Sequence, residues 1–454
     1  MNLNAACNHP RQQDDLLYIV ERAIGAVSPD AAMHRTVCRQ GDLLTVADRE
    51  YDLSRYARVL AVGAGKASAP MALALEEILG ERLEGGVVAT KYGHGLDLSR
   101  IRILESGHPV PDLAGQAAAA ELLQVAEQAG ERDLVFLLLS GGASALVPAP
   151  RGPVALAHKQ ETTRLLLECG ADINEINAVR KHLSLLKGGH LARTMEPATV
   201  VTLIISDVVG DRLDVIGSGP TAPDASSFGE CLAILERHAL RSRVPAAVLE
   251  LLEQGAAGHV PETCKSGDVC FLRVQNEIIA SNVMALEGAA QAARERGYKP
   301  VVLTSAMRGE ARDVARSLVL TARDACARLA ADSAPLCLLA GGETTVTIRG
   351  QGRGGRNQEM ALAAALALAE LPDCRERVAV ACVGTDGSDG PTDAAGALVL
   401  PDTLSRGDAG GLCALAHLAD NNAYEYFSGA GTILRTGPTR TNVMDVAALL
   451  VYPA

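Results

Sequence analysis

Near-continuous apolar runs alternate with helix-like segments through most of the chain, and no other feature limits the fold as strongly. RVLAVGAG leads into KASAPMALALEEIL, and LVFLLLS, TVVTLIIS, PVVLTS and RVAVACVGT follow the same manner. A strand that is apolar throughout is buried on both faces, and intervening amphipathic or Ala-rich helices supply the cover; the pattern predicts an α/β protein of mostly parallel sheets flanked by helices. With 454 residues the chain exceeds what one hydrophobic core supports, so two or three domains are expected. The Pro-, Gly- and polar-rich stretch Gln254–Asp268 reads as a linker, which divides the chain into domains 1–260 and 261–454.

Several apolar runs end in clusters of Gly, Ser or Asp: VGAGKAS, LSGGAS, ISDVVGD and GTDGSDGPTD. In open α/β sheets ligands bind beyond the carboxyl ends of the strands, so these loops are expected to line a site. VGAGKAS places Gly65 and Lys66 between a buried strand and a helix. It departs from the phosphate-binding pattern G-x-x-x-x-G-K-[ST], because Leu60 stands at the first Gly and Ala67 follows the Lys. The ammonium group would still face the crevice as a phosphate ligand or transition-state cation. Ser140, Gly141, Gly142 and Ser144 follow the most apolar strand. They lack the G-x-S-x-G spacing of an acyl-transfer serine and fit a backbone cradle for an anion better. Arg180 and Lys187, seven apart on an expected helix, would share a face. Asp207 ends a further strand before the turn containing Ser218 and Gly219, and Asp386 and Asp389 stand in a similar loop. Carboxylates beside anion-binding loops suit Mg²⁺, which takes one or two of them together with the phosphates.

Gly350, Gly352 and Gly355 have the spacing G-x-G-x-x-G of a dinucleotide loop. The preceding TTVTIR alternates polar and apolar residues, as a half-exposed strand does. LCLLAGGETTVTI reads as two short strands turning at Gly341 and Gly342, a hairpin context in place of a βαβ unit. The next acidic strand end, Asp386, comes later than the ribose-binding position, which lies about 20 residues on. Arg349, Arg353 and Arg356 among the glycines match phosphate or carboxylate oxygens, so an anion clamp is the better reading.

The formal net charge of -12 and the absence of Trp disfavour nucleic acid, which calls for a basic footprint. Eleven cysteines without a C-x-x-C pair read as small buried hydrophobes of a reducing compartment. MNLNAACNHPRQQDD lacks a signal-peptide core, and no apolar run approaches the roughly 20 residues of a membrane helix, so a cytoplasmic location is expected.

Taken in order, LLLSGGASALVPAP, NAVRKHLSLLKGG, ISDVVGDRLDVIGSGPT, AGGETTVTIRGQGRGGRNQEMAL, GTDGSDGPTDAAGA and TGPTRTNVMD resemble the glycerate 2-kinase family with its C-terminal MOFRL domain, over nearly the whole chain. The resemblance implies a Rossmann-like N-terminal domain, a MOFRL-type α/β domain and an active site in the cleft. It further implies ATP-dependent phosphorylation of D-glycerate on the 2-hydroxyl, with Mg²⁺. The lysine of the first Gly-rich turn, here Lys66, and the arginine of G-G-R-N-Q-E, here Arg356, are implicated in catalysis. Asp207 or Asp386 would hold the metal, one carboxylate would act as base, and Arg353 or Arg440 would fix the substrate carboxylate. Glu343, Asn357 and Asp389 complete the expected binding set. Expected partners are small molecules, with neither nucleic acid nor membrane, and a homodimer is compatible. Some relatives carry the label hydroxypyruvate reductase, an NAD(P)-dependent alternative.

Overall fold

The computed structural model describes residues 9–454. The expectation of a missing signal-peptide core falls in part on the first eight residues, and it lies outside the described residues to that extent, as does Cys7. Two compact units are present. One, the contiguous unit, is Ala32–Ile279. The other, the composite unit, joins Ala280–Ala454 to the stretch ending at Ala31. The division therefore falls at Ile279/Ala280, not at 260/261. Gln254–Asp268 does not link the units: Thr263 and Cys264 inside it are buried, the Cys264 amide donates to the Gly188 carbonyl (2.9 Å), and the Cys264 carbonyl accepts from the Asp224 amide (2.8 Å). Composition marked an irregular stretch, whose first residues still belong to helix Ala246–Ala256, and could not reveal that part of it is packed.

In the contiguous unit β1 (Val37–Gln40), β2 (Leu43–Val46) and β3 (Arg49–Asp52) form a small antiparallel sheet. The main sheet contains β4 (Arg58–Ala64), β5 (Leu83–Lys91), β6 (Ile101–Ser106), β7 (Asp133–Leu139), β8 (Thr199–Ile205) and β9 (Val274–Ala280), in the order β6-β5-β4-β7-β8-β9. The pairings β6/β5, β5/β4, β4/β7 and β7/β8 are parallel. All seven residues of β7 are buried, as its unbroken apolar run requires. This is the doubly wound Rossmann order, which reverses direction between β4 and β7. A crevice opens beyond the carboxyl ends of the strands at such a reversal.

The composite unit holds β10 (Lys299–Met307), β11 (Leu336–Gly342), β12 (Val378–Gly384), β13 (Gly396–Val399), β14 (Ile433–Leu434) and β15 (Asp445–Val451), in the order β10-β11-β15-β12-β13-β14. Only β10 and β11 run parallel; the other four pairings are antiparallel. The α/β class holds, but this sheet is mixed and not mostly parallel. An apolar strand reports cover on both faces and says nothing of its neighbour's direction: every residue of β12 and β15 is buried, yet the two are antiparallel.

Several helices close this core. Pro10–Ala26 buries Leu16, Ile19, Val20 and Ala23, an i, i+3, i+4, i+7 stripe, against helix Asn282–Glu295. Each such Leu or Ile contributes about 1.5–3 kcal/mol of burial. Arg356–Ala369 buries most of its length, and its run of alanines lets it lie close to β12 and β13. The hairpin expected at Gly341 and Gly342 is absent: both glycines lie inside β11, and only Thr345 makes an isolated bridge, to Glu310. No described helix is long and apolar enough to cross a membrane.

Candidate active site

At the reversal point of the contiguous unit, the loops after β4 and β7 interlock. The Gly65 amide donates to the Ala89 carbonyl (3.1 Å), Lys66 to Gly141 (2.9 Å), and Ala67 to the Ser140 Oγ (3.0 Å). Ser140 Oγ also meets Ser68 Oγ at 3.1 Å, so this serine is an internal brace. Gly65 has φ +146°, and a Cβ there would lie 2.0 Å from Ser140 Oγ; a Cβ on Gly141 would lie 2.0 Å from an oxygen of Asp207. These glycines permit close packing. The amides of Gly65, Lys66 and Ala67 are spent on β5 and on the loop after β7, and the positive character of the crevice rests on side chains.

Those side chains gather in a cleft of about 820 Å³ lined by His108, Gly142, Ser144, Leu156, Lys159, Arg180 and Lys187, among others. Arg180 lies in the last turn of helix Ile173–His182, whereas Lys187 lies past the helix. Their sequence spacing is therefore not a shared helix face: the helix closes at Leu183, and Ser184 Oγ turns the chain by accepting from the amides of Leu186 (3.2 Å) and Lys187 (3.4 Å). The turn brings both cations to one cleft. Lys187 Nζ donates to the Ser144 carbonyl (3.1 Å), and Ser144 Oγ meets Ser218 Oγ at 3.2 Å. The amides of Gly188 and Gly189 donate to the carbonyls of Ser218 and Gly219.

Lys159, on helix Leu156–Glu168, is 8% exposed, and its Nζ has one distant acceptor, the Leu183 carbonyl at 3.5 Å. No carboxylate pairs with Lys159, Arg180 or Lys187 among the described residues. Burial, with Arg180 nearby, lowers the Lys159 ammonium to about 7, and burial with Lys159 and Arg180 holds Lys187 well below its usual value. Neighbouring Lys181 shows the contrast: it is equally buried but meets Asp224 at 3.1 Å. Burial, then Lys66, lowers His108 to about 4, which leaves its ring neutral near pH 7. Both His108 and Lys66 approach Gly142, at 2.9 and 3.4 Å from where its Cβ would stand.

The expected site residues of the composite unit cluster around Arg356. Its Nε and Nη2 donate to the two oxygens of Asp445 (2.6 and 3.0 Å), and Nη1 meets Glu343 at 3.0 Å. Burial opposes the guanidinium charge, but the bidentate partner outweighs it and raises the Arg356 pKa above the ordinary value. Asn357 Nδ2 donates to Asp445 (2.9 Å) and Asp389 (3.2 Å). Asp389 accepts from the amides of Asn357 (3.0 Å) and Gln358 (2.8 Å), so it caps helix Arg356–Ala369; burial raises its carboxyl to about 6. Upstream, the amides of Arg349, Gly350, Gln351 and Arg353 donate to side chains of Asp420–Asn422, and that of Gly352 to the Asp420 carbonyl. The bare-amide clamp expected of G-x-G-x-x-G is thus absent, since the chain supplies its own acceptors and its own carboxylate at the helix start. Arg353 pairs with Glu425 and stacks over Tyr424. Arg440 is exposed, next to Thr439, whose amide donates to the Asp386 carbonyl (3.3 Å). Asp386 accepts from the amide of Ser388.

Sequence reasoning missed His108, Lys159 and Asp445. Lys159 sits three residues after Leu156 and seven before Leu166, on the buried face of its helix, and that spacing could have singled it out. Asp445 is the lone charge in the run VMDVAALLV, a signal passed over.

Residues 15–253 match a family described as a domain of unknown function (DUF4147), and residues 336–445 match the MOFRL family. A glycerate 2-kinase from Pyrococcus horikoshii is 40% identical over 436 residues, 96% of each chain. A protein of Agrobacterium vitis, 42% identical over 399 residues and 87% of each chain, bears the provisional name of a hydroxypyruvate reductase. The crystal structure of a glycerate kinase from Thermotoga maritima matches with a TM-score of 0.85 at 37% identity, covering 97% of this chain and 99% of that one.

Proposed function

The chain belongs to the glycerate 2-kinase family, and on that premise we propose that it transfers the terminal phosphoryl group of ATP to the 2-hydroxyl of D-glycerate, giving 2-phosphoglycerate and ADP. The observation that carries this reading is the cluster of Lys159, Arg180 and Lys187 without a carboxylate, since buried cations are tolerated where an anion completes them.

Phosphoryl transfer passes through a loose transition state, and a protein serves it by alignment and charge more than by covalent chemistry. Lys66 and Arg356 are assigned as the cations that favour the transferring group, Arg356 with its guanidinium plane set by Asp445. Of the two arginines expected for the glycerate carboxylate, Arg353 is committed to Glu425, so Arg440 takes that role. Carboxylate oxygens suit Mg²⁺; Asp207, beside Gly141, or Asp386 would hold it, and the ion would neutralise phosphate charge when bound. The carboxylate not so used accepts the hydroxyl proton. Free thiols at every described cysteine fit a reducing cytoplasm.

The alternative hydride-transfer reading needs a pyrophosphate at the start of helix Arg356–Ala369, where Asp389 already stands. ADP release with D-glycerate, run beside NADH oxidation with hydroxypyruvate, decides between them. Turnover in the first assay alone is expected, with loss on chelation and recovery on adding Mg²⁺; NADH oxidation without ADP release would overturn the reading.

A further inference from the structure

We propose that the cleft of the contiguous unit is the seat of the nucleotide: its polyphosphate lies on Lys159, Arg180 and Lys187, and its base lies on the apolar wall formed by Val110, Leu156 and Leu167. This inference rests on the kinase reading and settles which of the two anionic substrates the cleft receives.

Charge decides first. Glycerate carries a single carboxylate and needs one cation; a triphosphate carries several charges and suits three. The three are not shared with the protein's own acids. Glu161 at the rim is held by Arg164 at 2.6 Å, and the acidic pair Asp214 and Asp224 faces Lys181. Three like charges close together repel one another, and burial compounds the cost, so an anion of matching charge is the state for which this arrangement is built.

Size decides next. About 820 Å³ lies within the range of roughly 300–1,000 Å³ typical of sites for drug-sized ligands, and a three-carbon acid would leave most of it empty. The wall agrees with the volume. Val110 and Leu167 are 65% and 61% exposed, apolar surface left open beside a cluster of charge. A purine nucleotide has a flat, largely apolar base and a charged polyphosphate tail, and the cleft presents the same two halves. His108, neutral and beside Lys66, marks the end of the cleft nearest the loop that follows β4.

Equilibrium binding of ADP to the purified enzyme tests this without requiring turnover, so it stays readable even if glycerate is not the acceptor. Lys159→Met, which keeps an unbranched side chain one atom shorter and without charge, is expected to weaken ADP binding and raise KM for ATP about tenfold or more, with KM for D-glycerate within about twofold. A raised KM for D-glycerate with unchanged ADP affinity would assign the cleft to the acceptor and overturn the proposal, as would a variant unchanged in both. Photolabelling of the unaltered enzyme with 8-azido-ATP guards against a misfolded variant. Labelled peptides should fall within residues 108–111 or 156–167, and label confined to other segments would refute the assignment.

Discussion

The two clusters of functional side chains solve the same electrostatic problem in opposite ways. In the composite unit three guanidinium groups near the glycine loop have acids of their own: Arg356 has Asp445 and Glu343, Arg353 has Glu425, and Arg312 has Glu359. In the contiguous unit Lys159, Arg180 and Lys187 have none. The first arrangement fixes a side chain in one orientation; the second keeps charge available for something that arrives. A glycine spacing cannot distinguish these cases, because it does not say who provides the anion.

The largest expected effect comes from removing a catalytic cation. Lys66→Ala and Arg356→Ala should each lower kcat by about a hundredfold or more; full kcat in either variant, on folded protein, removes that residue from the mechanism. The stabilities of variants should then separate the two regions. Asp445→Asn leaves Arg356 without its buried partner and is expected to cost about 3 kcal/mol, the low end for a broken buried pair because the guanidinium is 34% exposed. Lys159→Met removes an uncompensated buried charge and should raise stability by about 1 kcal/mol or more. Urea unfolding of both variants checks the contrast, and equal signs would break it.

A smaller effect concerns pH. The Lys159 ammonium titrates near 7 without ligand, and an anion favours its charged form. The groups facing it are Arg180 and Lys187, with the Glu161–Arg164 pair at the rim. ATP affinity should therefore fall by up to about tenfold per pH unit above pH 7, with a shallower slope in Lys159→Met, where Lys187 remains. The smallest effect belongs to Arg353→Ala. Its pair with Glu425 is solvent-exposed, so stability should change by less than about 1 kcal/mol and KM for glycerate by less than about twofold. A large rise in KM would restore Arg353 to the substrate site.

The alternation of apolar runs and helices was enough to read the α/β class and the loops at strand ends. It could not give the direction of β15, since its burial pattern is the same for parallel and antiparallel neighbours. Nor could it mark the unit boundary, because β9 joins the first sheet through contacts distant in sequence. Arg180 and Lys187 stand in one cleft for a reason that spacing did not supply, namely the Ser184 turn. Lys159 stands in a segment that no motif marks, although its position on the buried stripe was there to be counted.

The order in which β15 arrives has a consequence for biosynthesis. It lies between β11 and β12 yet follows every other described strand. While the ribosome is still adding residues, β11 and β12 have no bridge between them, and helix Pro10–Ala26, made first, waits for the sheet it will cover. The contiguous unit, with all its strands already emerged, is free to fold earlier. The composite core can close only once β15 has been made, and a nascent chain stalled before that point would expose the unpaired edges of β11 and β12 to chaperones and proteases.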